Sequence, residues 1–370
     1  MDALNNFMPN NLAWLNTSTH QLTLPNFTLQ YEKKDITEDV KLYLLSIEYT
    51  DFLGEQSDEL TVSFEDVDGK WIRSWYPSQG DKLTFSLGDQ FTGLVDLGSF
   101  EIAEIEYQLM PSTITIKALA TGISHGYRTR LSKAYENTTL AGIVKIIAKR
   151  LHLKLTGTVS EIKIQRITQY QETDVEFLTR LARQYGHTFK IVDKTLVFME
   201  NTELTKQDAV LIINPADVIS GQFRDQIKNV PDKVVVSGYD AKKKQSRVIS
   251  KKATARRHAD KNHKKTANDT LRIVVNRGES NEQLSARASA AISDAEDEQI
   301  SGNLELFGNV QLVAGQIVQL KNYGLLSGRY LVKQAHHRVE KSSGYTTELE
   351  IKMLEYIADE NEKQETKHAE

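Results

Sequence analysis

Two distant stretches of the chain run through the same order of short alternating segments. GDKLTFSLG leads into GSFEIAEIEY and then STITIKAL; near the other end GQIVQL leads into GRYLVKQAHHRV and then TTELEIKML. Gly80, Leu83, Phe85 and Leu87 correspond roughly to Gly315, Ile317, Val318 and Leu320. Gly98-x-Phe100-x-Ile102 corresponds to Gly328-x-Tyr330-x-Val332, and the run from Thr113 to Ile116 to that from Thr347 to Ile351. Apolar residues at every second position share one face of a strand, and that face must be buried against other strands. A repeated meander predicts two related antiparallel β-barrels in one chain. The alternative is that two unrelated meanders share the look of alternation. With two barrels per chain, a cyclic trimer would present six in a pseudo-sixfold ring.

Between the stretches the period changes from two to 3.6. NTTLAGIVKIIAKRLHL places Leu140, Ile143, Val144, Ile147, Ala148 and Leu151 on one helical face, with Thr138 or Thr139 as N-cap. In TDVEFLTRLARQYG, Thr173 and Glu176 stand in the capping-box relation, Phe177, Leu178, Leu181, Ala182 and Tyr185 form the stripe, and Gly186 suits a left-handed C-terminal residue. Ser280 and Gln283 open a third helix whose buried side carries Leu284, Ala288, Ala291, Ile292 and Ala295. The expected fold is mainly β with an α+β insert. Its parts are an arm at 1–26, a first barrel at 27–125, the insert at 126–205, a second barrel at 206–357 with a helix at 280–299, and a charged tail at 358–370.

Composition removes whole classes of function. The 370 residues include no cysteine, which excludes disulfides, thiolate zinc sites and cysteine nucleophiles and suits folding in a reducing cytoplasm. Formal net charge is -4, so no global positive field draws the chain to nucleic acid or anionic lipid. The first residues lack a signal-peptide pattern, and no stretch approaches the ~20 apolar residues of a membrane helix, so no membrane partner is expected. No phosphate loop, dinucleotide fingerprint, His-Glu-x-x-His or Gly-x-Ser-x-Gly elbow is present. Glu65-Asp66-Val67-Asp68-Gly69 reads as a hairpin turn, because a calcium-loop register would put Phe64 and Trp75 at ligand positions. His336 and His337 are strand neighbours that point to opposite faces. Accordingly no catalytic, cofactor or metal residue is assigned, and no cofactor is expected. A glycosidase-type carboxylate pair stays open, because sequence shows neither separation nor burial.

Residues 242 to 265 carry eleven basic residues against Asp260 alone: Lys242, Lys243, Lys244, Arg247, Lys251, Lys252, Arg256, Arg257, Lys261, Lys264 and Lys265. Self-repulsion predicts a mobile loop. It serves either as an electrostatic contact with nucleic acid or an acidic surface, or as a solvated insertion. Without interleaved aromatics, base-specific reading is not expected.

TLAGIVKIIAKR, then Gln169-x-Gln171-Glu172-Thr173-Asp174-x-x-Phe177-Leu178-x-Arg180-Leu181-Ala182 and Gly186, resembles the late control gene D family of contractile-tailed phages. So does Asp51-x-x-Gly54-x-x-Ser57-Asp58-x-Leu60, continuing to Asp66-x-Asp68-Gly69; the likeness covers roughly residues 27 to 356. The resemblance implies a tail or baseplate hub similar in fold to the N-terminal part of type VI spike proteins and to R-type bacteriocin hubs. It further implies a homotrimer joining a hexameric tail tube to a trimeric spike, with a channel for tape-measure protein or DNA. Such a product is made in the bacterial host cytoplasm and resides in a virion tail, baseplate or phage-tail-like particle. Because the chain stops soon after its second barrel, a separate spike protein is expected. The alternatives are a tail-associated cell-wall hydrolase and a nucleic-acid-binding protein using the basic loop.

Overall fold

A computed structural model describes residues 24–359 apart from 55, 92, 121–127, 193, 227–230, 241–243, 253–268, 276–277, 298 and 342. The expected N-terminal arm lies almost wholly outside the described residues, as does nearly all of the charged tail. The strands of the first half are β1 (Pro25–Tyr31), β2 (Lys34–Asp35), β3 (Leu44–Phe52), β4 (Glu59–Glu65), β5 (Lys82–Asp89), β6 (Gly93–Leu109) and β7 (Ser112–Leu119). The insert contributes β8 (Leu131–Thr139), α1 (Leu140–Arg150), β9 (Lys154–Thr156), β10 (Lys163–Glu172), α2 (Asp174–Tyr185), β11 (His187–Val192) and β12 (Thr195–Glu200). The second half has β13 (Ala209–Ile213), β14 (Val218–Asp225), β15 (Lys233–Asp240), β16 (Gln245–Lys252), β17 (Thr270–Val274), α3 (Asn281–Asp297), β18 (Ile300–Phe307), β19 (Ile317–Leu320), β20 (Gly328–Glu340) and β21 (Gly344–Tyr356).

The same strand order occurs twice. In the first half the neighbours run β3-β4-β7-β6-β5-β1, and in the second β14-β18-β21-β20-β19-β13. The match extends to irregularities. β3 carries an extra residue, Leu45, against Ser63 and Phe64, and β14 carries Ile219 against Glu305 and Leu306. β6 bulges at Ala103 and β20 at Lys333. Gly80 and Gly315, at φ 90 and 91, donate their amides to Ile102 and Val332 at 2.8 and 2.9 Å; these positive φ values favour glycine at both places. Bulges are built features rather than noise, so two shared bulges in one strand order argue for one fold used twice.

The ladders also correct the register read from sequence. Phe100 and Tyr330 are equivalent, as are Ile102 and Val332, but their partners across the ladder are Leu83 and Val318. Phe85 thus matches Leu320, and Ile116 matches Leu349 rather than Ile351. One difference stands out, since β1 pairs antiparallel to β5 whereas β13 pairs parallel to β19.

Alternation explains the cores. Leu60, Val62 and Phe64 of β4 and Ile114, Ile116 and Ala118 of β7 point inward with Phe85, Phe100 and Ile102 into one cluster. Leu304, Leu306, Val318, Tyr330, Val332, Leu349 and Ile351 do the same in the second half. The equivalent aromatics make equivalent contacts. Tyr49 meets Phe100 edge-on at 5.9 Å, and Phe223 meets Tyr330 at 6.3 Å. Inside the insert, Leu140, Ile143, Val144 and Ile147 of α1 and Phe177, Leu178 and Leu181 of α2 enter one buried cluster with Ile164, Phe189 and Phe198 of the strands. Thr139 accepts from the Gly142 amide at α1, the Thr173–Glu176 capping box opens α2, and Gly186 closes it at φ 70.

The basic stretch differs from its expectation as a loop. Arg247, Lys251 and Lys252 lie in β16, an edge of the three-stranded sheet β16-β15-β17, while Lys244 sits in the turn before it. Strand geometry sends neighbouring charges to opposite faces and so relieves their repulsion. Arg247 donates to the Glu279 carbonyl at 3.0 Å and Lys251 reaches Ser289 Oγ. Lys242, Lys243, Arg256, Arg257, Lys261, Lys264 and Lys265 lie outside the described residues. This sheet covers α3 and has its own core of Val234, Val236, Leu284, Ala288 and Ile292. It is inserted between β14 and β18, where the first half has the direct β3-to-β4 connection.

Candidate assembly surface

The two halves are stitched into one sheet by a strand junction. Gln334 to Glu340 of β20 pair antiparallel with Phe52 to Ser46 of β3. On its inner side His337 stacks on Tyr49 at 5.9 Å, and Val339 stands opposite Ile47. On the outer side Thr50 Oγ1 lies 2.8 Å from His336 Nδ1, and Arg338 Nε lies 3.6 Å from Glu48. Burial lowers the His337 pKa to about 4, so the ring is neutral near pH 7. Its Nε2 hydrogen then points at the Leu312 carbonyl at 3.0 Å, leaving Nδ1 to accept from the Tyr345 hydroxyl at 2.9 Å.

Below this junction a buried ion triplet joins three parts of the molecule. Lys190 of β11 contacts Asp51 of β3, and lies 2.9 Å from Asp58 just before β4. Asp58 also accepts from the Phe52 amide at 3.0 Å, and Asp51 from the Ala314 amide of the second half at 2.7 Å. All three side chains are largely buried. Burial pushes the Asp58 carboxyl up to about 7; Lys190 opposes this and Asp51 adds to it. Burial works against the Lys190 ammonium too, but the two carboxylates outweigh it and its pKa is raised. Asp51 and Asp58 fall in the motif quoted from sequence; Lys190 does not. In HTFKIV the lysine alternates with apolar residues and looks like an ordinary solvent-facing position, and only its distant partners reveal otherwise.

Each half repeats the elements of the junction, but only one set is used within the chain. The counterpart of β20 is β6 and that of β3 is β14. Glu104 to Leu109 of β6 pair with β7 on one edge, and among the described residues no strand pairs with the other. β14 pairs with β18 only, so it too leaves an edge unpaired among the described residues. The exposure of equivalent residues differs accordingly: Val339 is 8% exposed, whereas Leu109 is 72%. Met110 and Ile219 add apolar surface at 90% and 46%. An open strand edge flanked by exposed apolar side chains is a pairing site. The sequence hint was the break of alternation in Tyr107-Gln-Leu-Met110 before Pro111, which leaves two large apolar residues at a hairpin tip.

The other buried carboxylates are engaged as well. Asp174 is held by Arg150, Glu279 by Arg287, and Asp66 by the Trp71 amide and the Tyr107 hydroxyl. Among the described residues no group of three or more metal-ligating side chains is placed to hold an ion, and no helix is long and apolar enough to cross a membrane.

Residues 118–343 match the family described as phage tail baseplate hub (GPD). The chain belongs to the phage tail baseplate hub family. It is 34% identical over 180 residues to the "Probable baseplate hub protein" of Escherichia phage 186, and 33% identical over 178 residues to that of Escherichia phage P2. Each alignment takes in 48% of this chain and 45% of the relative, so the chain spans about half the length of the relatives it matches. The fold of this family member is shared with the 43 kDa tail protein of prophage MuSo2 from Shewanella oneidensis, at TM-score 0.63 and 16% identity over 89% of this chain and 98% of that one. A tail protein from Neisseria meningitidis MC58 gives TM-score 0.65 and 12% identity, covering 89% and 96%. An E. coli component of the type VI secretion system gives TM-score 0.51 and 10% identity, covering 85% and 74%.

Proposed function

We propose that this hub protein is a symmetry adapter: three copies close into a ring of six barrels, one face mating with a hexameric tail tube and the other with a trimeric spike. The observation that carries this reading is the strand order used twice with the same bulges, which makes one chain two near-equivalent sixths of a ring. A central channel would pass tape-measure protein or DNA, and the particle's tail or baseplate would be its place of residence. The reading is structural rather than enzymatic. It is supported by buried carboxylates engaged with counter-charges and backbone amides, whereas a hydrolase needs a pair facing a cleft. Light scattering on the purified chain, alone and mixed with its spike protein, tests it: three copies are expected, and two or four would overturn it.

The basic residues Lys242, Lys243, Lys244, Arg247, Lys251, Lys252, Arg256, Arg257, Lys261, Lys264 and Lys265 fit an electrostatic contact with the transiting nucleic acid or an acidic partner face. Lys233, Lys252 and Arg272 stand on neighbouring strands of one small sheet, which favours this use. If the contact is to phosphates, each neutralised residue should reduce the salt slope of DNA binding by about one unit. An unchanged slope would remove the contact.

A further inference from the structure

We infer that the open edge of β6 pairs antiparallel with the open edge of β14 on a second copy of this chain, in the register that the junction between β20 and β3 already uses inside one chain. The inference rests on the threefold reading above and specifies its interface. Within the chain, His336, His337 and Val339 face Thr50, Tyr49 and Ile47. The ladder equivalences β20 with β6 and β3 with β14 turn these pairs into Glu106, Tyr107 and Leu109 facing Arg224, Phe223 and Gly221 of the partner subunit.

Each pair is chemically complementary. Glu106 and Arg224 are both exposed, and neither has an ion-pair partner among the described residues. Opposed across a ladder on the solvent side, they attract. Tyr107 and Phe223 are both half-buried. They would reproduce the stacking of His337 on Tyr49, and Phe223 already holds the contact to Tyr330 that Tyr49 holds to Phe100. Leu109 lacks the cover that its equivalent Val339 has, and at Gly221 the place of a side chain is filled by Leu304 and Val218, an apolar surface on which the leucine would rest. The donor edge and the acceptor edge are different surfaces, so the contact is heterologous and propagates from chain to chain until the ring closes. Main-chain hydrogen bonds would supply the common attraction and these side chains the register.

The chain offers a clean test, because it contains no cysteine. The double variant E106C/R224C places both thiols at exposed positions, where the fold tolerates them. Oxidation of the assembled protein should give a ladder ending at three covalently joined chains on a non-reducing gel. Light scattering of the unmodified chain runs alongside, with and without its spike protein. A chain that stays monomeric in both removes the threefold reading and this pairing with it. A trimer in which these cysteines do not join, or join only within one chain, overturns the pairing and leaves the trimer standing. Charge exchange gives a second readout that needs no oxidation. Glu106→Arg and Arg224→Glu should each raise the Kd of assembly by about fivefold, and the two together should restore it to within about twofold. A double variant no better than the singles would also overturn the pairing.

Discussion

The first and second halves of the chain are one fold in two states of completion. In the second half the outer edge of β20 is covered by β3, and Val339 is buried; in the first half the outer edge of β6 is open among the described residues, and Leu109 is exposed. At another equivalent pair, Asp51 is buried and held by Lys190 whereas Asp225 is exposed. Equal strand positions therefore carry unequal burial, and on the pairing proposed above the inequality separates the edge closed within the chain from the edge that a second copy would close. The halves also differ in what they tolerate. The connection between β14 and β18 holds a whole α/β layer, while β3 and β4 are joined by a short turn. A long insertion at a surface connection is thermodynamically mild, so it can be added to one copy without disturbing the shared strand order.

The largest energetic difference between the halves is expected at Lys190. Replacing it by Met leaves Asp51 and Asp58 buried without their counter-charge, and the chain should lose about 3–5 kcal/mol in chemical denaturation. Asp225→Asn, at the equivalent of Asp51, should change the same midpoint by no more than about 0.5 kcal/mol. Comparable losses at the two positions would mean that the burial difference has no energetic meaning.

A slightly smaller effect is expected where the two edges are compared directly. Val339→Asp puts a charge into the closed junction and should cost about 2–4 kcal/mol in the dilute chain. Leu109→Asp should leave the dilute chain within about 0.5 kcal/mol of the parent and appear only as weakened assembly. Thermal melts at low and high concentration separate the two.

The pH response sharpens the contrast further, because two buried groups beside the junction pull in opposite directions. Asp58 titrates at about 7 when folded against an ordinary 3.8, so the folded chain holds an extra proton between those values and its stability falls as pH rises through them. His337 titrates at about 4 against 6.5, so the folded chain lacks a proton between those values and its stability falls as pH drops. Between about 4 and 6.5 the two slopes oppose each other. Asp58→Asn should expose the acid-side loss caused by His337, and His337→Gln the loss toward pH 7 caused by Asp58. Denaturation midpoints from pH 4 to 7 check this, and parallel profiles for both variants and the parent would refute it.

The smallest effect belongs to β16. Lys252→Glu, at an exposed position, should leave stability within about 0.5 kcal/mol and change only the salt dependence of any phosphate contact.

Much of the fold was legible because alternation and capping are local. The helices at Leu140, Asp174 and Asn281 announced themselves through Thr139, the Thr173–Glu176 box and the Ser280–Gln283 pair, and all three caps are formed. The repeat was legible at Gly98 and Gly328, since Phe100 and Tyr330 do face equivalent ladder partners. Its register slipped elsewhere because a period of two cannot count the extra residues that bulges and unequal turns insert. Within the basic stretch, Gln245–Lys252 forms a strand rather than the expected loop, because β16 distributes its charges to two faces, whereas the expectation summed repulsion along the chain. The assembly surface was hardly legible at all: an open edge is defined by the strand that is missing beside it, and that depends on contacts between residues far apart in sequence.

On the pairing proposed above, assembly closes a second copy of the junction already present within the chain. Amide hydrogen exchange compared between dilute and assembled protein tests this at peptide resolution. New protection is expected at Glu104–Leu109 and Val218–Asp225 on assembly, approaching that of Gln334–Glu340, which should be protected in both states. Assembly that protects other segments and leaves these two unchanged would contradict the pairing.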